Sequence, residues 1–432
     1  MEQIETLESK KILNSLKEIK EIQKIIYVFG SAGTGKSTLI KRIRKLKINS
    51  VVLAPTGIAA LNVDGQTIHS FFKFDFSPSP NIKKPLNSAL IKKLDLLIID
   101  EVSMLNPAIL DSIDKTLKKT RETSEPFGGV SVMFVGDMFQ LEPVVTGDTK
   151  KFFINEYGST FFFEAKCLWN INPEVFELNH KFRHAHDKKY SKLLDSIRLG
   201  ENLNECLTII NKLCMNNFEE SNSQMILTGN NLSADIKNEE RLKAIPSKSI
   251  FYDAYLTGDF KYKKDKEESL PAPLRLELKK GAQVRMVKNS KGKWANGSLG
   301  KIVNLEENFV EVKIGKIVYE VERESWEIIN YVYDEEREEI IKEVKGQFNQ
   351  LPMRLGWAST IHKSQGLSLS SCTIDLDSAF CHGQAYVALS RCSTLDGINL
   401  IHPLEVSDII INERVKNFYI NTISDTKLEA VS

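Results

Sequence analysis

Residues 25–38 have the sequence IIYVFGSAGTGKST, and this stretch decides the fold of the chain. Its apolar opening predicts a buried strand, and the glycine-rich part fits the pattern GxxxxGK[ST] ahead of a predicted helix. In such a loop the backbone N–H groups and the helix N-terminus hold phosphates, the lysine neutralises the β- and γ-phosphates, and the serine holds Mg²⁺. The sequence therefore predicts a nucleoside triphosphate site, with a chance glycine-rich loop as the alternative. Its residues are Gly30, Ser31, Ala32, Gly33, Thr34, Gly35, the catalytic Lys36, the metal ligand Ser37, and Thr38.

Length and composition indicate a globular protein of several folding units. The chain has 432 residues, of which 42% are hydrophobic and 27% are charged. At about 150 residues per domain, this length suggests roughly three units, and the composition excludes collagen-like and disordered proteins. Because 58 Lys and Arg residues face 57 Asp and Glu residues, the net charge is +1. A site for a polyanion must therefore be a local groove rather than a uniformly basic surface.

The sequence carries no sign of a membrane span or a targeting segment. No apolar run approaches the ~18 residues that a membrane helix needs, and the N-terminus alternates acidic and basic residues without an apolar signal core. The six cysteines form no CxxC pair, so neither a disulfide framework nor a zinc site is indicated. We expect a cytoplasmic protein of a reducing compartment, bacterial or phage-like and associated with the nucleoid.

Strand and helix patterns alternate along most of the chain. Short apolar strands are predicted near residues 51–54, 96–99 and 130–135, with helical patterns such as 12–19 and 109–117 between them. This order is typical of a parallel α/β sheet. Two stretches differ: the proline-rich residues 75–85 predict an exposed insertion, and residues from about 279 to 333 have the short alternating strands of a small β-barrel. A charged helix is predicted from Asp334 to about Phe348.

Two further strand ends carry polar residues suited to hydrolysis. The strand at residues 96–99 ends in Asp100 and Glu101, a Walker B arrangement in which Asp100 meets Mg²⁺ and Glu101 orients and deprotonates the attacking water. A strand ending near Gly136 is followed by Gln140, which can sense the γ-phosphate or hold the water. A solvated strand end and a polar loop residue are the alternatives for these two motifs.

Several additional blocks of the sequence resemble the petite-integration-frequency (PIF) family of superfamily 1 DNA helicases. The blocks follow one another in the order of that family and span nearly the whole chain. They are APTGIAA at 54–60, GQTIHSFF at 65–72, DEVSM at 100–104, GDMFQL at 136–141, FR at 182–183, SIRLG at 196–200, STIHKSQG at 359–366 and AYVALSRC at 385–392.

This resemblance implies a two-domain motor. It implies two RecA-like domains with parallel sheets, ATP between them, single-stranded DNA across their tops and 5′→3′ movement. It also implies roles in DNA repair, replication and telomere maintenance. The expected domains are 1–178, with a wedge insertion at about 73–92, and 179–278 together with 352–432. An SH3-like β insertion with the charged helix would occupy 279–351.

The resemblance also implies roles for individual residues. Arg183 and Arg391 match two arginines that reach ATP from the second domain, as an arginine finger does. Gln365 and Gly366 would lie against the nucleotide. Phe71 and Phe72 either stack on bases or pack in a core. The expected DNA-facing residues are Pro55, Thr56, Gly57, His69, Phe71, Phe72, Thr360, His362 and Lys363.

The sequence leaves some alternatives open. The family's adenine-reading glutamine segment is poorly matched, since Gln3 is the only glutamine ahead of the first helix. The expected partners are single-stranded DNA and forked or tailed duplex DNA, with G-quadruplexes among the candidate structures, and the motor is expected to be monomeric. A RecD- or Dda-type translocase is a related alternative. A P-loop phosphotransferase, which would not respond to DNA, is an alternative of another class.

Overall fold

The computed structural model describes residues 6–429 except 76, 78, 81, 83–87, 146, 216–223, 259–269 and 377–378. The chain forms two compact units. Unit 1 comprises Met1–Phe182, Ile329–Val344 and Asn412–Ser432, and unit 2 comprises Arg183–Ile328 and Lys345–Ile411. No helix in the described part of the chain is both long and apolar enough to cross a membrane.

Unit 1 is built on a parallel sheet of six strands in the order β3-β2-β4-β5-β1-β6. The central strands are buried along their whole length, as expected for a parallel sheet covered on both faces. This confirms the α/β prediction. The elements are α1 (Leu7–Ser15), β1 (Ile25–Gly30), α2 (Lys36–Ile43), β2 (Ser50–Ala54), α3 (Gly57–Asn62), β3 (Gln66–Thr67), α4 (Ile68–Phe72), α5 (Ser88–Lys92), β4 (Leu96–Ile99), α6 (Pro107–Arg121), β5 (Ser131–Gly136), α7 (Gly147–Tyr157) and β6 (Glu174–Leu178).

Unit 2 contains a second parallel sheet, of four strands in the order β18-β7-β19-β20, and an antiparallel sheet in the order β14-β13-β12-β11-β17. The antiparallel sheet confirms the predicted all-β stretch. In chain order, the helices and strands from Lys188 to Leu400 are α8 (Lys188–Leu199), α9 (Leu203–Cys214), β7 (Met225–Thr228), α10 (Asn231–Lys243), β8 (Ser249–Asp253), β9 (Tyr255–Gly258), β10 (Arg275–Lys279), β11 (Gln283–Met286), β12 (Leu299–Leu305), β13 (Phe309–Ile314), β14 (Ile317–Glu322), β15 (Glu324–Asp334), β16 (Glu339–Gln350), β17 (Met353–Leu355), β18 (Ala358–Thr360), α11 (Ile361–Ser364), β19 (Cys372–Asp375), α12 (Gln384–Leu389) and β20 (Ile398–Leu400).

The charged helix predicted from Asp334 to about Phe348 is wrong. Residues 339–350 form the strand β16, which joins β15 and β9 in a three-stranded sheet. The physical reason is the burial pattern, because Gly346, Phe348 and Gln350 are buried while the residues between them are more exposed. A period of two residues places alternate side chains on opposite faces of a sheet, and no helix face can collect them.

The last helix also departs from the expected domains. Helix α13 (Glu413–Glu429) groups with unit 1, whereas residues 352–432 were expected to belong wholly to the second domain. The ring of Phe418 stacks on Phe163 at a centroid distance of 4.3 Å and lies 6.1 Å from the ring of Tyr27. The hydroxyl of Tyr419 donates to a carboxylate oxygen of Glu177. These contacts attach the end of the chain to the first sheet.

The outer part of the β15–β16 pair packs in unit 1 beside the predicted wedge. The hydroxyl of Tyr331 accepts from the N–H of Val52 at 3.3 Å, and the N–H of Ile340 donates to Oδ1 of Asn49 at 3.0 Å. The ammonium of Lys93 lies 5.6 Å from the centroid of the Tyr333 ring. Of the wedge itself, residues 73–75, 77, 79–80, 82 and 88–92 are described, and the remainder of this predicted insertion lies outside the described residues.

Candidate nucleotide and nucleic-acid sites

The glycine-rich loop lies between β1 and α2, where the sequence predicted it. Lys36 is the first residue of α2, and its Nζ donates to the backbone oxygens of Gly30 at 2.7 Å and Ser31 at 3.1 Å. The hydroxyl of Thr34 donates to the same Ser31 oxygen at 2.9 Å. The loop thus folds around the ammonium group of Lys36 at the N-terminus of α2. The positive charge of Lys36 and the dipole of the helix both favour an anion at this point.

Two glycines are required by the shape of this loop. Gly35 has φ +88°, a left-handed conformation that side-chain-bearing residues rarely adopt, and a Cβ there would lie 3.2 Å from the Phe182 ring. A Cβ at Gly30 would lie 2.5 Å from Oγ1 of Thr34. Phe182 also donates its backbone N–H to the oxygen of Gly33 at 2.9 Å. The sequence did not predict this role for Phe182, since an aromatic residue well away along the chain gives no signal of a loop contact.

The acidic pair follows β4, as predicted. Asp100 is buried, and burial together with the neighbouring charge of Glu101 raises the pKa of Asp100 to about 7, while the charge of Lys36 acts in the opposite direction. Glu101 adopts a left-handed conformation with φ +50°. Hydroxyl and carboxylate oxygens are ligands that Mg²⁺ prefers, and Ser37 and Asp100 supply one of each. A buried carboxylate with a raised pKa is suited to a cation, because a positive charge beside it offsets the cost of burial.

Gln140 is held in place by Asp137. The side-chain amide of Gln140 donates to Oδ2 of Asp137 at 3.2 Å, and Oδ1 of Asp137 accepts from the N–H of Phe139 at 3.3 Å. Both polar residues are buried. At Gly136 a Cβ would lie 2.9 Å from a methyl carbon of Val102, so this turn packs closely on the segment that follows Glu101. In the sequence Asp137 lies three residues before Gln140, but nothing there indicates that its carboxylate holds the Gln140 side-chain amide.

The two predicted arginines lie together in unit 2. Arg183 donates to the backbone oxygen of Ser390, the residue before Arg391, at 3.1 Å. Burial and the like charge of Arg391 lower the pKa of Arg183 to about 10. Residues 183 and 391 are separated by most of the chain of this unit, so the fold and not the local sequence brings these guanidinium groups together.

Arg391 is almost completely buried, with 1% of its surface exposed. Its Nε donates to the oxygen of Val387 at 2.8 Å, and its Nη2 donates to Oγ of Ser390 at 2.7 Å. Its Nη1 donates to the oxygens of Ser364 at 3.2 Å and Leu367 at 3.4 Å. These last two residues flank the predicted nucleotide-side pair Gln365 and Gly366, and Gly366 has φ +81°. The guanidinium therefore fixes the turn that carries that pair.

Three threonines cap short helices, and two of them, Thr56 and Thr360, belong to the expected DNA side. The hydroxyl oxygens of Thr56, Thr67 and Thr360 each accept from the backbone N–H three residues further on, at 3.2, 3.3 and 3.2 Å. Each threonine follows or ends a strand of a parallel sheet and precedes helix α3, α4 or α11. Pro55 and Gly57 beside Thr56 are partly exposed. A hydroxyl that accepts one of these bonds keeps its own hydrogen to donate, and of the two threonines on the expected DNA side Thr56 is partly exposed and Thr360 is 3% exposed.

His362 forms a ring pair that the sequence did not predict. His362 and Lys363 lie in α11, and His69 lies in α4; all three are partly exposed. The ring of Phe380 lies parallel to that of His362, with an interplanar angle of 13° and a centroid distance of 6.4 Å, and Phe380 is 62% exposed. Burial lowers the pKa of His362. Together the two rings form an aromatic surface beside Thr360 and Lys363.

The base-stacking interpretation of Phe71 and Phe72 is wrong. Each side chain is only 1% exposed, so neither ring face is available to a base. The two rings pack edge to face at 4.8 Å, Phe72 stacks on Phe74 at 5.2 Å, and Phe71 lies 6.2 Å from Tyr331. Both belong to the core of unit 1, which was the alternative that the sequence left open.

Comparison with known proteins agrees with this geometry. A profile of the PIF1-like helicase family matches residues 5–207. A Bacteroides Pif1 in complex with ADP-AlF4 is 33% identical, with 98% of each chain covered and a TM-score of 0.89. A Bacteroides Pif1 bound to ssDNA is 34% identical over 98% of each chain, with a TM-score of 0.70. The ATP-dependent DNA helicase PIF1 of Emericella nidulans is 28% identical over 96% of this chain and 63% of its own.

These similarities extend over the whole fold. The two parallel sheets correspond to the RecA-like domains of the matched Pif1 structures. The chain spans about three fifths of the length of the fungal and vertebrate relatives that it matches. Since the Bacteroides protein matches over 98% of both chains at 33% identity, the chain belongs to the PIF1-like helicase family.

Proposed function

We propose that this protein is an ATP-dependent DNA helicase that moves 5′→3′ on a single strand and unwinds duplex DNA. The observation that carries the proposal is the P-loop of unit 1, in which Lys36 sits at a helix N-terminus and its charge acts on the buried Asp100. The names of the matched relatives, which include ATP-dependent DNA helicases and a Pif1 bound to ssDNA, support the same function.

The hydrolytic roles follow from the chemistry of each group. Lys36 and the loop N–H groups would hold the β- and γ-phosphates of ATP. Ser37 and Asp100 would hold Mg²⁺, which neutralises charge on the phosphate oxygens when it is bound. Glu101 would take a proton from the attacking water, and Gln140, fixed by Asp137, would orient that water.

Arg183 and Arg391 are proposed to stabilise the charge on the transferring phosphoryl group from unit 2, with DNA favouring the arrangement in which they act. Arg391 now donates to four acceptors of its own unit. Because the side chain is 1% exposed, it must move to reach a phosphate, and that movement would break some of these bonds. Within the described residues Arg183 makes one side-chain hydrogen bond, to the Ser390 oxygen, so it has fewer bonds to break.

The proposed DNA contacts use the capped turns at the ends of the parallel strands. The hydroxyls of Thr56 and Thr360 and the charge of Lys363 would bind backbone phosphates. The aromatic pair His362–Phe380 would offer a face on which bases stack without regard to sequence. Pro55, Gly57 and His69 complete the proposed surface.

A strand-separation assay with 5′-tailed and 3′-tailed duplexes tests the proposal. The parent should unwind only the 5′-tailed duplex, and Lys36→Ala should unwind neither duplex. The matched control is Lys41→Ala, an exposed lysine on the same helix, which should unwind like the parent. Unwinding from the 3′ tail, or full activity of Lys36→Ala, would refute the proposal. Turnover of ATP that single-stranded DNA does not change would favour a P-loop phosphotransferase instead.

A further inference from the structure

Unit 2 contains a cavity that no part of the proposed mechanism uses. Its volume is about 650 Å³, and it lies where the end of α10 faces the strands β11, β12 and β13. The side chains that matter for its chemistry are Arg241, Gln283, Lys301, Lys313 and Trp357. Ligand sites for small molecules commonly have volumes of about 300–1,000 Å³, so a nucleotide-sized molecule fits.

The charge of the cavity is one-sided. Three of its lining side chains are cationic, and among the described residues none of those that line it is acidic. Lys301 pairs directly with Lys313 across β12 and β13, and Gln283 pairs with Lys301 on the other side. Like charges directly opposite one another on a sheet destabilise it. An anion between the two ammonium groups would remove that repulsion.

The surroundings do not neutralise this pair. Glu311 lies two residues before Lys313 on the same face of β13, yet within the described chain neither lysine forms an ion pair or a side-chain hydrogen bond with it or with any other residue. The amide of Gln283 donates to the oxygen of Gly356 at 2.9 Å, which holds this lining side chain in place. The lining also includes the largely buried side chain of Trp357.

The cavity lies at the N-terminal ends of the parallel strands, and the proposed DNA contacts lie at their C-terminal ends. Trp357 immediately precedes β18, whereas Thr360 ends that strand and His362 and Lys363 follow it. Helix α10 starts just after the end of β7, so its last turn, which carries Arg241, has returned to the beginning of the strands. The cavity is therefore separate from those contacts, and the P-loop belongs to unit 1.

We propose that this cavity is a second site for a free nucleoside polyphosphate, with its phosphates between Lys301, Lys313 and Arg241 and its base against Trp357. A free nucleotide and a nucleic-acid backbone both carry phosphate groups that these cationic side chains could bind. A volume of nucleotide size that an indole helps to line favours a free nucleotide over an extended strand. The site goes beyond the proposed helicase function and does not depend on it.

Isothermal titration of the full chain with ADP and Mg²⁺ tests the site by stoichiometry. The parent should bind two equivalents, Lys36→Ala should bind one, and Lys301→Gln with Lys313→Gln should bind one, because the second site weakens at least tenfold. The combination of all three substitutions should bind none. The matched control, Lys115→Gln with Lys119→Gln on exposed positions of α6, removes the same charge and should still bind two.

The possible results separate cleanly. A single equivalent in the parent that the Lys301 and Lys313 substitutions leave unchanged would overturn the second site, while the equivalent that depends on Lys36 would still report on the P-loop. In the Lys36→Ala variant, displacement of ADP by a poly-thymidine strand would show that a nucleic-acid backbone occupies the cavity and would overturn the assignment to a free nucleotide. Retention of ADP under those conditions supports it.

Discussion

Replacing Arg391 with alanine should destabilise unit 2 strongly, in addition to any effect on catalysis. The guanidinium donates to the backbone oxygens of Val387, Ser364 and Leu367 and to the hydroxyl of Ser390, and it is 1% exposed. A buried acceptor that loses its donor costs roughly 1–3 kcal/mol. The Val387 oxygen also accepts from the Ser390 hydroxyl, and the Ser364 oxygen also accepts from the N–H of Leu367. The other two acceptors, the Leu367 oxygen and Oγ of Ser390, therefore lose this donor without a replacement, and the expected loss is about 3–5 kcal/mol.

This loss has a measurable size in thermal unfolding. For a unit of roughly two hundred residues, 1 kcal/mol shifts the melting temperature by about 2–4 °C, so Arg391→Ala should lower the transition of unit 2 by about 6–20 °C. Differential scanning calorimetry of the full chain measures the shift. Arg183→Ala is the matched control, because Arg183 makes one bond, to Ser390, and its removal relieves repulsion with Arg391. We expect a change of at most about 1 kcal/mol there.

A melting temperature of Arg391→Ala within 2 °C of that of the parent would refute this reasoning.

The stability of this variant also decides how its catalytic data are interpreted. If the alanine variant is as unstable as expected, its loss of ATP hydrolysis does not by itself identify an arginine finger. Arg391→Lys keeps the charge and some of the bonds, and its turnover at a temperature where it is fully folded is the more informative measurement.

Three further outcomes test the assignments in unit 1. Phe72→Ala should lose about 3–5 kcal/mol in urea denaturation because a buried ring is removed, while its affinity for a poly-thymidine strand, measured by anisotropy in the folded state, should change less than twofold; a selective loss of affinity would restore the base-stacking role. Gly35→Ala should pay about 1–3 kcal/mol of backbone strain at φ +88° and bind ATP more weakly by calorimetry, and unchanged affinity would contradict the required loop shape. Tyr331→Phe should lower stability by about 1 kcal/mol through its lost bonds to the Val52 backbone, and an unchanged urea midpoint would show that these bonds contribute nothing.

The sequence predicted the first sheet well because its signals are local. Strands β1, β2, β4 and β5 are continuous apolar runs, which is typical of strands buried on both faces, and each is followed by a distinctive polar or glycine-rich motif. The Walker motifs could be placed at strand ends without any knowledge of tertiary contacts. The position of Lys36 at the start of α2 and that of Asp100 after β4 therefore agreed with expectation.

The errors arose where long-range packing decides the outcome. The density of charge near Asp334 favoured a helix, but the alternation at Gly346, Phe348 and Gln350 prevailed once the strand found its partners. Nothing in the residues of α13 states which unit their apolar face will join. The rings of Phe71 and Phe72 were equally consistent with a core and with a DNA surface, and only the presence of Tyr331 beside them settles the matter.

One tripeptide shows why some functional residues can be identified from sequence and others cannot. Thr67-Ile68-His69 in unit 1 and Thr360-Ile361-His362 in unit 2 each end a parallel strand, and in both the threonine caps the short helix that carries the histidine. The threonine that starts each helix thus lies two residues before a histidine of the proposed DNA surface, so the signal for the fold and the signal for binding coincide in one motif. Arg391 differs, because its position is set by carbonyl groups from two separate segments. No local pattern contains that information, and its burial emerges only when the segments pack together.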